Sequence, residues 1–488
     1  MKVLFVYMGA ESLGVEYLAG AARAAGHEAD LAFDPALFGG NLMWDIPTLA
    51  RRLDLRPKIM KRISDERPEV AAFSCFTGNY LWALSIADEI KNMHPEIKTI
   101  FGGVHVTAVP EKVLREKAVD AIAVGESEHT FPAMLEALTN GAATVPPGAR
   151  IKIDGGVRAG ESPGLIEDLD TLPAPAKDLF YKKAPALQHH YMIMSARGCP
   201  YACTYCYKSL SQYAPPGKNP IRRRSVGNVI SELEKATRDW NVKMVVFRDD
   251  VFTLNKVWLD DFAREYTKKI GLPYFCYTHP AALDAETADL IKNSGCRFVT
   301  IGIQSVDERQ RRDVLNRRYS NEKVRASMQL LRERGIVVSA DHIIGLPGDT
   351  REKLEAAAEF YTEIRPNRLL TFWLTYYPGT RIMQIAQDAG TVSAADVERI
   401  ESGMSGHRYS GGGASGIPKE ILGFPVLFAL IPIIGPVLTR LLLKSGLFKI
   451  LPKSFAVHNL LLAFNALRIG DPFFIYNIRF SISRKKVP

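Results

Sequence analysis

The chain has 488 residues and six cysteines, and 47% of it is hydrophobic and 24% charged. These values describe an ordinary globular protein with length for two or three domains, and they exclude a small secreted scaffold held by disulfides. The formal net charge is +9. The first residues, MKVLFVYMGAESLG, lack the cleavage site of a signal peptide, so we expect a cytoplasmic protein whose thiols stay reduced.

Residues 1–140 alternate short apolar strands with helical stretches. The expected strands are KVLFVYM, HEADLAF, VAAFSCF, KTIFGG and AIAVGE. This order predicts a doubly wound, Rossmann-like parallel sheet, in which ligands bind beyond the carboxyl ends of the strands. The loops at that edge are rich in Gly, Ser and Thr, but no GxGxxG follows the first strand, so a dinucleotide site is weakly supported.

Residues 141–187 are rich in Pro, Gly and Ala, with PPG, DGG, SPG and LPAPAK in close succession. Such composition is typical of loops and turns. We therefore predict a linker that lies over the surface and carries no chemistry.

The stretch RGCPYACTYCY at 197–207 places Cys199, Cys203 and Cys206 within eight positions. In a chain with reduced thiols, such a group indicates a metal site rather than a disulfide framework. Structural zinc takes four closed ligands, and no His or Cys follows at finger-like spacing. Three thiolates on one short loop fit a [4Fe–4S] cluster with one iron left open. The other three cysteines each lie in or beside an apolar run and are expected to be small core residues.

Beyond this loop, strand and helix patterns alternate. We expect strands at 190–195, 243–247, 274–278, 298–303, 337–344 and 369–376, separated by helical stretches such as NEKVRASMQLLRER. Six strand–helix units predict a parallel α/β barrel that is incomplete by comparison with eight. Chemistry in such barrels lies at the carboxyl ends of the strands, where Asp249, Asp250, His279 and Gln304 fall.

The CxxxCxΦC spacing, with Tyr205 before the last cysteine, resembles the signature of radical S-adenosylmethionine (SAM) enzymes. FRDDVFTLN, TIGIQS, DHIIGLPGDT and YYPGT resemble later parts of the same barrel in order, and the likeness covers residues 188–395. It implies that the cluster cysteines bind iron, that the open iron binds SAM, and that Tyr205 lies among the cofactor contacts. It also implies that Asp249 or Asp250 holds the SAM amino group and that Gln304, where the family more often has Glu, lies near its ribose and carboxylate.

The N-terminal loops resemble the cobalamin-binding domain that precedes many radical SAM barrels. GGVHVTAVPEKVL followed by VDAIAVGESEHTF carries this likeness. It implies cobalamin contacts from one set of loop residues: Ser12, Leu13, Gly14, Ser74, Thr77, Gly102, Gly103, His105, Thr107, Gly125 and Glu126. Related mutases use a DxHxxG motif to supply a histidine to cobalt, and this sequence has none. His105 is therefore expected to be a plain loop residue or a contact to the corrin edge rather than the cobalt ligand.

The C-terminal part, residues 396–488, is expected to be mostly helical, and its end is basic and apolar. From position 417 onward it has ten basic residues and two acidic ones, which is +8 of the total charge of +9. It also contains ILGFPVLFALIPIIGPVLT, nineteen uncharged residues that could span a bilayer. Three prolines there argue against a straight helix. Docking on an anionic membrane surface is our preferred interpretation, and a true span, a cap over the active site and a core helix pair remain alternatives.

These resemblances together imply a cobalamin-dependent radical SAM enzyme with a [4Fe–4S] cluster, SAM and cobalamin. We expect it to methylate an unactivated carbon of a small hydrophobic substrate such as a lipid, isoprenoid or tetrapyrrole. An external electron donor of the flavodoxin or ferredoxin type is implied, and the protein is expected to be peripheral on the inner membrane face. The alternatives are a radical cyclase or rearrangement without methyl transfer, and a cobalamin-binding sensor. Nucleic acid is not expected as a partner, because the basic tail has no aromatic stacking platform.

Overall fold

A computed structural model describes residues 1–36, 47–139, 144–404 and 418–471 of the chain. It contains two parallel α/β units and a helical C-terminal segment. The predicted fold class, a Rossmann-like domain followed by a partial (β/α)6 barrel and a mostly helical end, is confirmed.

The first unit is a parallel sheet with the strand order β2-β1-β3-β4-β5. Its strands are β1 (Lys2–Met8), β2 (Glu28–Asp34), β3 (Val70–Ser74), β4 (Lys98–Gly102) and β5 (Ala121–Ala123). Its helices are α1 (Leu13–Ala24), α2 (Pro47–Arg52), α3 (Arg56–Glu66), α4 (Tyr80–Met93), α5 (Val104–Ala108), α6 (Pro110–Arg115) and α7 (Thr130–Thr139). The strand order reverses between β1 and β3, and in such sheets the ligand crevice lies at this reversal, beyond the carboxyl ends of the strands.

Part of the predicted linker is sheet. β6 (Ala149–Ile153) pairs antiparallel with β5, and β7 (Gly156–Ala159) pairs antiparallel with β6, which makes the first sheet seven-stranded. A short helix α8 (Asp178–Tyr181) and two single turns of 3₁₀ helix, Leu169–Thr171 and Pro185–His189, follow. The linker prediction for 141–187 was therefore wrong as a description of surface coil. β6 is buried at alternate positions, so it extends the core of the first unit.

The second unit is a six-stranded parallel sheet with the order β8-β11-β12-β13-β14-β15. Its strands are β8 (His190–Ile193), β11 (Met244–Phe247), β12 (Tyr274–Thr278), β13 (Cys296–Gln304), β14 (Val337–Ile344) and β15 (Arg368–Trp373). Between β8 and β11 lies a ribbon of β9 (Ala196–Arg197) and β10 (Arg222–Arg223). The six strands confirm the sequence prediction, and β8 and β15 form the two edges of the open barrel.

Helices cover the outside of this barrel. They are α9 (Val226–Asp239), α10 (Lys256–Lys269), α11 (Ala285–Asn293), α12 (Glu308–Asp313), α13 (Asn321–Glu333), α14 (Arg351–Ile364), α15 (Arg381–Asp388) and α16 (Ala394–Glu401). Short 3₁₀ turns lie at Tyr207–Ser209, Phe252–Leu254 and Pro280–Ala282. The predicted domain boundary after residue 395 is wrong, because it falls inside α16, whose Ile400 packs in one buried cluster with Ile343 and Tyr376 of the barrel.

The C-terminal segment is a helical hairpin. α17 (Phe424–Lys444) bends at Gly435, and α18 (Phe455–Ile469) packs back against it; the 3₁₀ turns Lys419–Ile421 and Leu447–Ile450 lie beside them. Before the bend, Phe424, Leu427 and Phe428 are buried in the barrel core. After the bend, apolar side chains are exposed. The stretch Lys419–Lys444, which includes α17, is long and apolar enough to cross a membrane, and 39% of its most apolar part is buried in the protein. The buried part before the bend caps the barrel.

Candidate active site

A cleft opens at the carboxyl ends of the first sheet and is closed on its far side by the barrel. Of the predicted cobalamin contacts, seven line it: Leu13, Gly14, Ser74, Gly102, Gly103, Gly125 and Glu126. Apolar side chains such as Phe5, Phe73 and Ile100 form its floor. An apolar floor with small residues at the rim allows a large flat ligand to approach the backbone closely. The residues that line this cleft therefore fit a corrin ring.

Gly103 shows how closely the backbone packs at this rim. Its φ is +96°, and a Cβ there would stand 2.5 Å from the carbonyl oxygen of Cys75. Only glycine adopts this conformation without strain. The GG turn that carried the sequence resemblance is therefore required by the geometry of the cleft.

The other four predicted cobalamin contacts, Ser12, Thr77, His105 and Thr107, are not among the residues that line the cleft. Ser12 caps α1 by accepting a hydrogen bond from the Val15 amide, and the Thr107 hydroxyl accepts one from the Gly125 amide at 3.0 Å. Thr77 contacts Nδ1 of His105 at 3.2 Å. These side chains shape the loops that form the wall, and a direct contact from them to the cofactor stays a prediction.

His105 is 1% exposed and its ring packs against Tyr80 at 4.4 Å between centroids. Burial, with a smaller effect from the charge of Lys112, lowers its pKa to about 4. His105 therefore stays neutral at physiological pH and is absent from the residues that line the cleft. This position agrees with the expectation that His105 is a plain loop residue. That cobalt has no histidine ligand stays a prediction.

The cysteine loop leaves the barrel and returns to it through the β9–β10 ribbon. Gly198, at φ +88°, allows the crossing, since a Cβ there would lie 1.8 Å from the carbonyl oxygen of Pro220. His279 at the end of β12 stacks on Tyr201 of the loop, with 3.9 Å between ring centroids. The loop is therefore held at both ends and in the middle.

The three cysteine thiols are partly or fully buried and close enough to influence one another's ionisation. Burial raises the pKa of Cys199 to about 12 and that of Cys206 to about 11. The thiolate forms therefore need a positive partner, and coordination to iron deprotonates a thiol outright. Within the described residues no three His, Cys, Asp or Glu side chains are grouped around one metal-ion position. A [4Fe–4S] cluster makes a different demand because each thiolate binds its own iron, so three thiols on one loop fit it.

Arg317 is a site residue that sequence reasoning missed. It lies on the loop after α12, and its guanidinium contacts Sγ of Cys203 at 3.5 Å, the hydroxyl of Tyr205 at 3.2 Å and the carbonyl oxygen of Gly302 at 2.6 Å. Tyr205 thus anchors the loop to the barrel through Arg317, and a direct cofactor contact from Tyr205 stays a prediction. The guanidinium thereby places a positive charge directly beside the Cys203 sulfur.

The two adjacent aspartates after β11 have different environments. Asp249 is 1% exposed and accepts hydrogen bonds from the amide and hydroxyl of Ser195, which hold the strand end that precedes the cysteine loop. Both of its oxygens are engaged by Ser195, so Asp249 has a structural role in the strand end, and a contact from it to SAM stays a prediction. Asp250 is partly exposed and lies 3.3 Å from Lys208, just after Cys206. Of the pair, only Asp250 faces the space beside the cluster loop.

Gln304 ends β13 with a left-handed backbone, at φ +68°. The strand pairing shifts register between Gly302 and Gln304, so the residue departs from the regular sheet. A non-glycine residue in this region is strained, and such strain concentrates at functional sites. Its place at the carboxyl end of a barrel strand agrees with the predicted role near SAM, which stays a prediction.

Ion pairs join the first unit to the cysteine loop. Arg222 of β10 binds Glu126 through two nitrogens at 2.6 and 2.8 Å, and Arg197 of β9 pairs with Glu128. Burial alone would raise the pKa of Glu126, but the Arg222 hydrogen bonds and the charge of Arg197 lower it below its usual value. Glu126 therefore acts as an anionic link between the units, although it also lines the cleft.

The same cleft is walled on the barrel side by Arg197, Tyr207, Lys208 and Tyr213. Tyr207 and Lys208 directly follow Cys206. The cleft of the first sheet and the cysteine loop therefore share a wall, so ligands held by the two face a common space. The sequence carried no signal for this, because it depends on how the two units dock.

Comparisons with known proteins agree with this geometry. Residues 6–135 match the B12 binding domain family, and residues 193–361 match the radical SAM superfamily. The chain is therefore a cobalamin-dependent radical SAM enzyme, with a [4Fe–4S] cluster, SAM and cobalamin as its cofactors.

Particular relatives narrow the comparison. An uncharacterized methyltransferase of Pyrococcus horikoshii is 28% identical over 79% of this chain and 83% of its own length. The anaerobic magnesium-protoporphyrin IX monomethyl ester cyclase of Rubrivivax gelatinosus is 26% identical over 78% of this chain and 68% of its own. The solved structure of the radical SAM methyltransferase TsrM from Kitasatospora setae superposes with a TM-score of 0.62 at 17% identity, covering 80% of this chain and 77% of that one, which shows a shared fold.

Proposed function

We propose that this enzyme methylates an unactivated carbon of an apolar substrate and does so while docked on an anionic membrane surface. The observation that carries the methylation is the shared wall: the cleft over the first sheet and the loop of Cys199, Cys203 and Cys206 meet at Tyr207 and Lys208. The bound cofactors supply a 5′-deoxyadenosyl radical for hydrogen abstraction and a methyl group for transfer. A substrate at this junction lies within reach of both.

The protein's own residues hold this junction together. The Arg222–Glu126 and Arg197–Glu128 pairs fix the first unit against the base of the cysteine loop. Asp249 and His279 fix the loop against the barrel. Positioning of this kind is the part of the catalysis that a protein supplies when the cofactors supply the reactivity. Reduction of the cluster fits an external one-electron donor of the flavodoxin or ferredoxin type.

An apolar substrate is supported by the inner wall of the barrel. Alternate side chains of the strands face inward, and among them Met192, Val246, Phe275 and Phe298 belong to one hydrophobic cluster. Such a wall favours a hydrocarbon skeleton over a peptide or a sugar.

The membrane contact is supported by what we call the tail surface, the exposed apolar side chains of the C-terminal hairpin: Val437, Leu438, Leu441, Leu447, Ile450, Leu460, Phe464 and Leu467. Ile450 is 79% exposed and Val437 is 70% exposed. The exposed basic residues Lys444, Lys449 and Lys453 lie among them. Apolar side chains interspersed with cations are typical of helices that lie in the interface of anionic membranes, which points to the cytoplasmic leaflet. The predicted basic residues at 479–486 lie outside the described part of the chain.

A second candidate is a radical cyclisation without methyl transfer, which the likeness to the protoporphyrin ester cyclase favours. Turnover with SAM that carries a deuterated methyl group distinguishes the two. Methylation predicts a product heavier than the substrate by the labelled methyl group. A product without label, formed with 5′-deoxyadenosine, would favour the cyclase and contradict the methylation.

A further inference from the structure

Asp341 is a carboxyl inside the barrel that none of the contacts above uses. It lies in the middle of β14, between Ala340 and His342, whose side chains point outward into the helical layer. Because side chains alternate along a strand, Asp341 points inward. Its register partner on β13 is Gly302, and its partner on β15 is Leu370, so neither neighbour offers a polar side chain.

One oxygen of this carboxyl, Oδ1, is buried and has no hydrogen-bond partner among the described residues. Burial raises the pKa of Asp341 to about 7, against the opposing charges of Arg368 and Arg317. The charged and titratable groups that influence it are Arg317, Arg368, Tyr277 and Tyr361. None of these four described side chains forms a hydrogen bond or an ion pair with it.

Asp341 differs from two other buried carboxylates of the barrel, Asp349 and Asp249, because both of those accept hydrogen bonds from the protein. Asp349 accepts hydrogen bonds from the amides of Gly345 and Leu346 and from Gln310. Asp249 holds Ser195. Leaving a buried polar group without a partner costs about 1–3 kcal/mol, so an unpaired carboxyl facing the interior indicates a partner that arrives with a ligand.

We propose that Asp341 accepts a hydrogen bond from a hydroxyl group on the otherwise apolar substrate and thereby fixes which carbon faces the cofactors. This inference rests on the proposed function and names a chemical feature of its substrate. A hydroxyl fits better than an ammonium group, because Arg248, Arg317 and Arg368 already place positive charge in or beside the barrel. Arg248 donates a hydrogen bond to the hydroxyl of Tyr277 at 2.7 Å, and arginine has no acceptor atom, whereas the carboxylate of Asp341 can accept from a substrate hydroxyl.

The test uses the holoenzyme and two small probes of similar size, cyclohexanol and methylcyclohexane, with affinities measured by saturation-transfer NMR. The quantity of interest is the ratio of the two affinities. We expect Asp341→Leu to lower the preference for cyclohexanol by about tenfold, the value of one hydrogen bond to a charged group. Asp341→Asn should lower it less. In the wild type the preference should grow as the pH rises from 6 to 8 through the pKa of about 7, since the ionised carboxylate is the stronger acceptor. Both variants should show a flat pH profile.

Iron and cobalamin content of both variants should equal that of the wild type, which separates a binding role from a folding defect. An unchanged affinity ratio in Asp341→Leu, or no binding of cyclohexanol to the wild type, would overturn the hydroxyl site. A product without label from deuterated-methyl SAM overturns the methylation instead and leaves the probe result as it stands.

Discussion

The cysteine loop and the tail surface differ in how many contacts their residues make with the rest of the protein. The loop is tied down by Asp249, His279 and Arg317, and its backbone crosses Pro220 at a position that only glycine tolerates. The tail surface leaves Val437 and Ile450 mostly in water. Residues held by several contacts suit the positioning of a reactive centre, whereas exposed apolar residues are typical of surfaces that bind a partner or a membrane. In the proposed function the first region carries the chemistry and the second provides access for the substrate.

The largest expected effect comes from the cluster cysteines. Cys199→Ala, Cys203→Ala and Cys206→Ala should each abolish the cluster and the cleavage of SAM, because each removes one iron ligand. Iron and sulfide content after anaerobic purification measures this. The controls Cys75→Ala, Cys276→Ala and Cys296→Ala remove buried thiols far from the loop in sequence and should retain about four irons per chain, the content of one [4Fe–4S] cluster. Loss of iron in any control would contradict the assignment.

A large loss of stability is expected when the buried ion pairs of Lys177 are removed. Lys177 lies in the segment 141–187, which the sequence predicted to be a linker. Lys177 pairs with Glu16 at 2.7 Å and with Glu11 at 3.1 Å, and its side chain is 4% exposed. Lys177→Met should lower the free energy of unfolding by about 3–5 kcal/mol, because it leaves two buried carboxyl groups without their cation. Denaturant unfolding measures the change.

The matched control is Lys182→Met beside the same short helix, where the lysine that pairs with Asp178 is 72% exposed. Its effect should stay within about 0.5 kcal/mol. Equal effects of the two substitutions would show that the segment does not dock through its buried charges.

A smaller and more local effect is expected at the cleft rim. Gly103→Ala should cost about 1–3 kcal/mol through strain at φ +96° and displace the Cys75 backbone, and so reduce the cobalt retained per chain. Gly155→Ala has a similar φ of +77° with open space around it, and it lies in the β6–β7 turn. It should retain cobalamin. If both variants keep cobalamin equally well, the GG turn is not part of its site.

The sequence predicted those elements whose burial is visible in their own pattern of apolar residues. Parallel strands covered on both faces read as continuous apolar runs, so Met244–Phe247 and Val337–Ile344 were predictable. β6 was missed because its short alternating run lies among prolines and glycines. A charged residue within an otherwise apolar strand, Asp341 in VVSADHII, was a signal that could have been used.

Contacts across long sequence distances were out of reach. Arg317 meets Cys203 at a separation of 114 residues, and only the docking of the loop after α12 brings them together. The choice between Asp249 and Asp250 depended on which of two adjacent side chains faces the strand end of Ser195. The bend at Gly435 separates a buried part of α17 from an exposed part, and composition alone could not predict where this change occurs. Deleting the tail is therefore a poor test, since Phe424 and Leu427 belong to the barrel core.

The division between chemistry and substrate access is tested most directly by the triple variant Val437→Glu, Leu441→Glu and Ile450→Glu, which changes only exposed positions of the tail surface. The measurement pairs sedimentation with phosphatidylglycerol vesicles and release of 5′-deoxyadenosine from SAM by the same preparation. We predict that the wild type sediments, less so at high salt, and that the variant stays in solution. Cleavage of SAM should change by no more than about twofold, as for other surface substitutions. Equal sedimentation of both proteins, or loss of SAM cleavage in the variant, would contradict the division.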